Sequence, residues 1–468
     1  MKYFSKIIEY GLYSVVFLLP LQTRWIIKSG LNEYQTYSLY GVDILLILVL
    51  LLFIVCTFYS WIAGHPPVPN GTFGRGARND KNRLACYDNR VICWFLGGFL
   101  LISAISGLLA IDKLLALYKF SWLILGVGLF WLIVSANYDK LKLIYAVFAG
   151  FFLQAILGVW QFFSQSSFSN KWLGLAAHDP AQLGTSVIEF VARDGIGERW
   201  LRAYGGLDHP NILGGVMAIV IILIINQIVI QGKNFGITNY ELRITNTVKK
   251  IIWWIFLAVF SVALFFSFSR GAWLAVLVGG FFMLISFAIR RDLKSQKAML
   301  TAILFSSILI GVLFFQYNEL VITRLTDNSR LEIKSKVERV ASYREAIGMI
   351  KKYPITGVGL GNYTLALSRQ IPNQESFYYQ PTHNVFLLIW AEVGIFGLLF
   401  FIGLMIYLFA RCFTARNNMV AASLIVLIIL MSIDHWLFSL HFGILFFWLI
   451  LGMAESEKRK SLKFNDAT

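Results

Sequence analysis

The feature that most constrains this chain is a succession of apolar runs of roughly 18–25 residues, the length at which a helix crosses a bilayer. Membrane strands need only about 10 residues and alternate in polarity, which these runs do not. A soluble core cannot absorb them either. Hydrophobic residues make up 58% of the 468 and aromatic residues 16%, whereas soluble domains run near 45–50% apolar. The sequence therefore predicts an all-α polytopic integral membrane protein.

About twelve spans are expected, near 9–27, 40–63, 91–110, 115–136, 143–164, 210–230, 251–268, 271–289, 298–316, 384–409, 418–434 and 436–453. An even count leaves both termini on one side. Placing them in the cytoplasm puts the basic segments 65–90, 231–250, 290–297 and 411–416 and the tail Lys458-Arg459-Lys460 inside. With the long loop 317–383 left out, Lys and Arg then number 23 inside against 9 outside, the bias expected of cytoplasmic loops. That bias also absorbs the formal charge of +16, so no nucleic-acid partner is implied. The N-terminus leads into an apolar run without a small-residue cleavage site and is read as a retained span. Residues 65–78, rich in Pro and Gly, read as a disordered linker. Cys56, Cys86, Cys93 and Cys412 have neither metal-ligand spacing nor a disulfide framework. Three parts are expected: N-terminal transmembrane helices over 1–200 with the cytoplasmic linker 65–90, a core over 201–410, and C-terminal helices with a basic tail over 411–468.

Two long segments then face outward, 165–209 and 317–383. The second carries nine Lys and Arg and is the longest polar run of the chain. Within it Val337, Val340, Tyr343, Ile347 and Ile350 fall at helical spacing. Lys351 and Lys352 suit a helix C-terminus, and Pro354 and Gly357 stop the helix. Such a helix covers the bundle, lies on the membrane surface or acts as a lid.

Few residues in this setting can carry chemistry. Arg270 sits in Ser269-Arg270-Gly271, a tight break between two spans. An arginine at that depth faces a cavity or snorkels to the headgroups. Arg202 precedes His209-Pro210-Asn211, which reads as a helix entry with Pro in the first turn. His383 opens a span at its outer end, beside Asn384 and before Glu392-Val393-Gly394. Histidine is the usual general base near neutral pH; the alternative for His383 and His209 is a structural role. Gly357-Val358-Gly359-Leu360-Gly361 is no dinucleotide loop: its third glycine comes one residue early and the run follows a helix. No metal site is expected; Asp434-His435 comes nearest. Two outward arginines and a histidine without a metal suit a lipid-linked diphosphate, since guanidinium binds such a group bidentately.

These residues resemble those of the bacterial O-antigen ligases and the related O-antigen polymerases. The resemblance rests on Arg202 with His209-Pro210-Asn211, on Ser269-Arg270-Gly271-Ala272-Trp273, on Tyr343-Arg344 with Pro354 and Gly357-Val358-Gly359, and on His383-Asn384 with Glu392-Val393-Gly394, in that order. It covers roughly 200–400. The loop 317–383 is longer than in the ligases, which leans toward polymerases or protein-directed relatives. The resemblance implies a multi-spanning, lipid-donor glycosyltransferase fold in the plasma membrane, with its active site facing outward. It implies transfer of a glycan from undecaprenyl diphosphate to a hydroxyl of a glycan, lipid or protein acceptor, with inversion and without metal or other cofactor. Arg202 and Arg270 would hold the diphosphate, with Arg344 a further phosphate contact. His383 would activate or position the acceptor, and His209, Asn384 and Glu392 would support the site. The competing expectation is a transporter that flips a lipid-linked glycan. Such a protein would spread its charges along a midplane cavity, and here they gather at one mouth.

Overall fold

The computed structural model describes residues 2–62, 80–191, 197–233, 240–326, 329–414 and 418–465. Helix α1 (Lys2–Leu18) leads into an antiparallel hairpin of β1 (Arg24–Lys28) and β2 (Tyr37–Tyr40), with Arg24 opposite Tyr40. Helices α2 (Gly41–Ile62), α3 (Asp80–Leu108), α4 (Lys113–Ser135) and α5 (Lys140–Ser164) follow. A second antiparallel hairpin, β3 (Val187–Val191) and β4 (Gly197–Leu201), precedes α6 (Pro210–Lys233). Then come α7 (Tyr240–Phe266), α8 (Arg270–Ile289) and α9 (Leu293–Gln316). The long polar loop is helical throughout much of its length, as α10 (Asn318–Thr326), α11 (Arg330–Lys352) and α12 (Tyr363–Gln370). The chain closes with α13 (Val385–Thr414), α14 (Asn418–Ile433), the single turn α15 (Trp436–Ser439) and α16 (His441–Asn465).

Among the described residues eight helices are long and apolar enough to cross a membrane: α2, the 90–108 part of α3, α4, α5, α6, α8, α9 and α13. The apolar parts of α7, α14 and α16 are shorter. The chain is thus a multi-pass helical membrane protein, with eight such helices where twelve spans were expected. The first expected span, 9–27, is shorter than read. Its helix stops at Leu18 and Arg24–Lys28 is a strand, because Pro20 cannot continue the helix and restricts the residue before it. Residues 63–79, with most of the expected linker, lie outside the described residues.

Helix starts follow local chemistry. Asp112 accepts from the amides of Leu114 and Leu115 at the head of α4, and Asp139 from those of Leu141 and Lys142 at the head of α5. Each pair satisfies amides that have no partner within the helix. Helix α6 is apolar on all sides and is buried along almost its whole length, as expected for a helix at the centre of a bundle. Glycines bring the others close: Gly126 of α4 lies under Trp448 of α16, and Gly98 of α3 under Phe400 of α13. Small residues at crossings are the usual means of packing helices in lipid.

The bundle has two distinct ends. Tyr13 donates to the carbonyl of Asp139 at 3.0 Å, Lys140 bonds the carbonyl of Ser456, and Arg411 pairs with Glu455 at 2.9 Å. These contacts gather the first helix, the α4–α5 turn and the chain beyond α13 at one end. The opposite end holds the β1–β2 hairpin, the α7–α8 turn, α10–α12 and the α14–α15 turn. There Asn32 donates to the carbonyl of Tyr379 at 2.8 Å, and Arg270 bonds the carbonyl of Arg324 at 2.9 Å.

The expected stripe on α11 is only partly its packed face. Ser342, Ala346, Met349 and Ile350 are buried, while Val337, Val340 and Ile347 are exposed. Spacing alone cannot decide which of two neighbouring faces meets the bundle when small residues such as Ser342 and Ala346 make the close contact.

Candidate active site

The site is built on the break between α7 and α8. Phe268 there has φ +47°, a left-handed residue that leaves the last carbonyls of α7 without helical partners. Those carbonyls need donors. Ala203 N–H donates to the carbonyl of Phe266 at 2.9 Å. Arg202 Nε donates to Ser267 O at 2.9 Å, and Arg324 donates to Phe268 O through Nη2 at 3.1 Å. Ser269 caps the next helix, accepting from Ala272 N–H, and Arg270 is its first residue. The turn therefore draws three arginines together.

Arg202 and Arg270, both expected in the site, differ in freedom. Arg202 is 4% exposed. It also donates to Ser186 Oγ at 2.8 Å and to Asn211 Oδ1 at 2.9 Å. Burial, then the like charges of Arg324 and Arg270, pushes its guanidinium well below the usual arginine range. The Arg270 side chain is 34% exposed and pairs with Glu332 Oε2 at 2.9 Å. Arg324 pairs with the other oxygen of that carboxylate, which is 3% exposed. Burial lowers Arg324 as well, and Glu332 opposes the shift. Two guanidiniums thus share one buried carboxylate while a third stands close enough to repel them. An arriving anion would relieve that repulsion. Sequence reasoning missed Arg324 and Glu332. Their signal was present in a basic loop that lies C-terminal to Arg270, but nothing in spacing pairs 270 with 324.

A second group stands beside the first. Asn211 donates through Nδ2 to Asp434 Oδ2 at 3.4 Å, so Arg202 and Asp434 share one amide side chain. Asp434 Oδ1 lies 3.8 Å from His383 Nδ1, an ion-pair distance that is too long for a hydrogen bond. Burial raises the Asp434 carboxyl, but His383, His435 and His209 outweigh it and hold the group far below the usual carboxylate range. Asp434 is therefore a standing anion, able to orient an imidazole and stabilise its protonated form. The carbonyl of His383 accepts from Tyr343 OH at 3.2 Å. His435 stacks obliquely on His383, with ring centres 5.1 Å apart, and binds Ser439 through Nδ1 at 2.7 Å. Burial pushes His435 down to about 4, so it is neutral at physiological pH.

The remaining expected residues divide. His209 Nδ1 accepts from Asn211 N–H at 3.0 Å and so shapes the start of α6. Burial and then Arg202 lower its pKa to about 3. Asn384 caps α13, accepting from Leu387 N–H and donating to the carbonyl of Ser432. Arg344 is exposed on α11 and joins none of these contacts. Glu392 is buried and belongs to a latch. Helix α13 breaks at Gly394, φ +85°. The carbonyls of Ala391 and Glu392 take the amides of Val358 and Gly359 at 2.8 and 3.0 Å. The Glu392 carboxylate accepts from Gly361 N–H at 2.8 Å. The glycine run spends its amides on a broken span, which explains why it is not a phosphate loop. A Cβ at Gly357 would meet the Glu392 backbone, and one at Gly361 the Lys119 side chain.

On the rim, Arg24, Glu33 and Asp208 interact electrostatically with one another. Sequence reasoning missed them, because they lie in segments separated by more than 170 residues. Among the described residues His383, Asp434 and His435 could each turn one donor atom toward a common point, all within 4.8 Å; His435 Nδ1 already serves Ser439.

No curated protein matches this chain. Residues 255–402 match the family model described as O-antigen ligase, a stretch that includes the α7–α8 turn, Arg324, Glu332, the glycine latch and His383. Over that stretch, about a third of its length, the chain is similar to the O-antigen ligase family.

Proposed function

We propose that the protein transfers a glycan from a polyprenyl diphosphate, of the undecaprenyl type, to an acceptor hydroxyl on the outer face of the plasma membrane. The observation that supports this is the continuous run of contacts from Arg270 through Glu332, Arg324, the α7–α8 turn, Arg202 and Asn211 to Asp434 and His383. An anion site and a candidate base share one polar network at one end of the bundle. In this reading Arg270 and Arg324 receive the diphosphate, and Arg202 adds its charge from behind. His383, held by Asp434, takes the acceptor proton as the hydroxyl oxygen attacks the anomeric carbon. The bond from that carbon to the diphosphate oxygen breaks, its electron pair stays with the diphosphate, and the configuration inverts. The guanidiniums stabilise the leaving charge, the role that preorganised cations perform best in a site poor in water. The core 201–410 would carry the site and the flanking helices would hold it in the bilayer, both termini in the cytoplasm and up to twelve crossings in all.

The test is transfer by purified protein in detergent or nanodiscs, with lipid-linked donor extracted from producing cells and with glycan, lipid and peptide acceptors. Transfer to any of them, with release of polyprenyl diphosphate, supports the reading. Movement of the donor across a vesicle membrane without transfer would replace it with a flippase.

A further inference from the structure

Behind His435 lies a small cavity of about 20 Å³ lined by Tyr34, Lys119, Thr364, Glu392, Phe438 and Ser439, among others. It adjoins the site directly. Ser439 carries the hydrogen bond to His435 Nδ1, and the ring of Tyr34 meets His435 edge-on at 5.7 Å.

Lys119 is the residue that needs explanation. It sits in α4 and is 6% exposed, with its ammonium over the face of Trp122 at 3.7 Å. That ammonium has no hydrogen-bond partner. Burying a cation without hydrogen bonds is costly, and an aromatic face compensates only in part. A methionine would fill the same space at no such cost. Glu392, across the cavity, attracts the ammonium, as does Glu33. The Glu392 oxygens accept from Gly361 and Tyr363 N–H at 2.8 and 3.4 Å, and each retains further acceptor capacity.

The pair dictates what it can hold. An ammonium only donates and a carboxylate only accepts. A hydroxyl satisfies both, accepting from one and donating to the other, and it does so wherever the proton of the pair sits. Glu392 and Glu33 offset the charges of Lys119 and Arg24, so no excess of positive charge remains to draw an anion and this is not a second diphosphate site. The volume suits one hydroxyl or hydroxymethyl arm, being slightly more than the space one water requires.

We propose that this cavity is a subsite for a neutral hydroxyl-bearing arm of the substrate sugar, held between Lys119 and Glu392. The inference rests on the glycan-transfer reading. It makes Lys119 a determinant of which sugar reaches His383. A resident water offers the same chemistry, and the experiment separates the two.

The variants are Lys119→Met, which keeps length and loses every donor, and Lys119→Gln, which keeps an N–H. Two measurements are made on full-length purified protein. The first is transfer from the extracted lipid-linked donor, with KM and kcat resolved for donor and acceptor. The second is protection against thermal unfolding by a panel of methyl glycosides. Lys119→Met should raise KM for one glycan substrate by about 10- to 100-fold, the range for losing a hydrogen bond to a charged group. It should change kcat less than about threefold and leave thermal stability equal or higher. Lys119→Gln should recover part of the KM. Any glycoside that protects the wild type should protect Lys119→Met less. Unchanged KM and unchanged protection in Lys119→Met would mean that the cavity holds only water, and would overturn the inference. So would a fall in thermal stability with KM intact, which makes Lys119 structural. If the wild type transfers nothing, the functional reading fails first, and the glycoside panel alone decides: no differential protection overturns the subsite.

Discussion

Replacing Arg270 with lysine separates a catalytic arginine from one that merely reaches the membrane surface. Arg270 bonds the carbonyl of Arg324 through Nη1 and Glu332 Oε2 through Nη2, both at 2.9 Å. Lysine keeps the charge but has one nitrogen, so it retains one of these contacts and loses the planar fork. The stability loss should be the worth of one hydrogen bond, about 0.5–1.5 kcal/mol. A third of the Arg270 side chain is exposed, and screening there keeps the figure toward the lower end. The transition state should suffer more. Losing a preorganised donor aimed at developing charge costs about 10²–10³ in rate, or about 2.7–4 kcal/mol. The assay is single-turnover transfer in Arg270→Lys, with chemical or thermal unfolding measured on the same preparation. The rate loss should be clearly larger than the stability loss. A variant that transfers at close to the wild-type rate would refute the reasoning, because lysine also snorkels well and Arg270 would then have no role at the diphosphate.

Other consequences follow from particular contacts. Gly394 has φ +85° and ψ 176°, with Ile355 O where a Cβ would stand. Gly394→Ala should undock the latch and destabilise the protein by about 1–3 kcal/mol, the usual cost of such strain, read as a lower unfolding temperature and faster proteolysis of 353–362. His435 has a folded pKa near 4 against about 6.5 unfolded. Its contribution is present above pH 6.5 and declines as the pH falls toward 4, so stability should drop by about 2 kcal/mol between pH 7 and pH 5. In His435→Gln that part of the pH dependence should vanish. Transfer should survive chelation by EDTA; abolition restored by Mg²⁺ or Zn²⁺ would instead recruit His383, Asp434 and His435 as ligands. Finally, Val337→Cys in a Cys-free variant should react with an impermeant thiol reagent in intact cells. Labelling only after permeabilisation would invert the topology.

What could be read from the sequence was whatever is local or repeated. Apolar runs such as 210–230 and 271–289 need only length to declare themselves, and α6 and α8 lie where they were expected. The break at Ser269-Arg270-Gly271 and the helix stop near Pro354 are backbone chemistry and were equally legible. The partners of Arg270 were not. Glu332 and Arg324 belong to it only because α10 and α11 fold back over the α7–α8 turn, and no periodicity encodes that closure. Asp434 stood out in sequence only as the nearest approach to a metal site, beside His435, because its importance comes from facing His383, 51 positions away. Glu392 drew notice beside a glycine, but its task was visible only once α13 proved to be broken and the loop 357–361 filled the gap. Lys119 drew none, since a single lysine near the start of an apolar run ordinarily snorkels.

The most direct measurement is transfer by His383→Gln, made alongside binding of the lipid-diphosphate donor to the same protein. Glutamine can still hydrogen-bond but cannot take the acceptor proton. Donor affinity should stay within about threefold of the wild type, because the arginines are untouched. The transfer rate should fall by about 10²–10⁴, the usual contribution of a general base. Transfer near the wild-type rate with normal donor binding would contradict the account, and would move the base to another residue of the same network or remove it altogether.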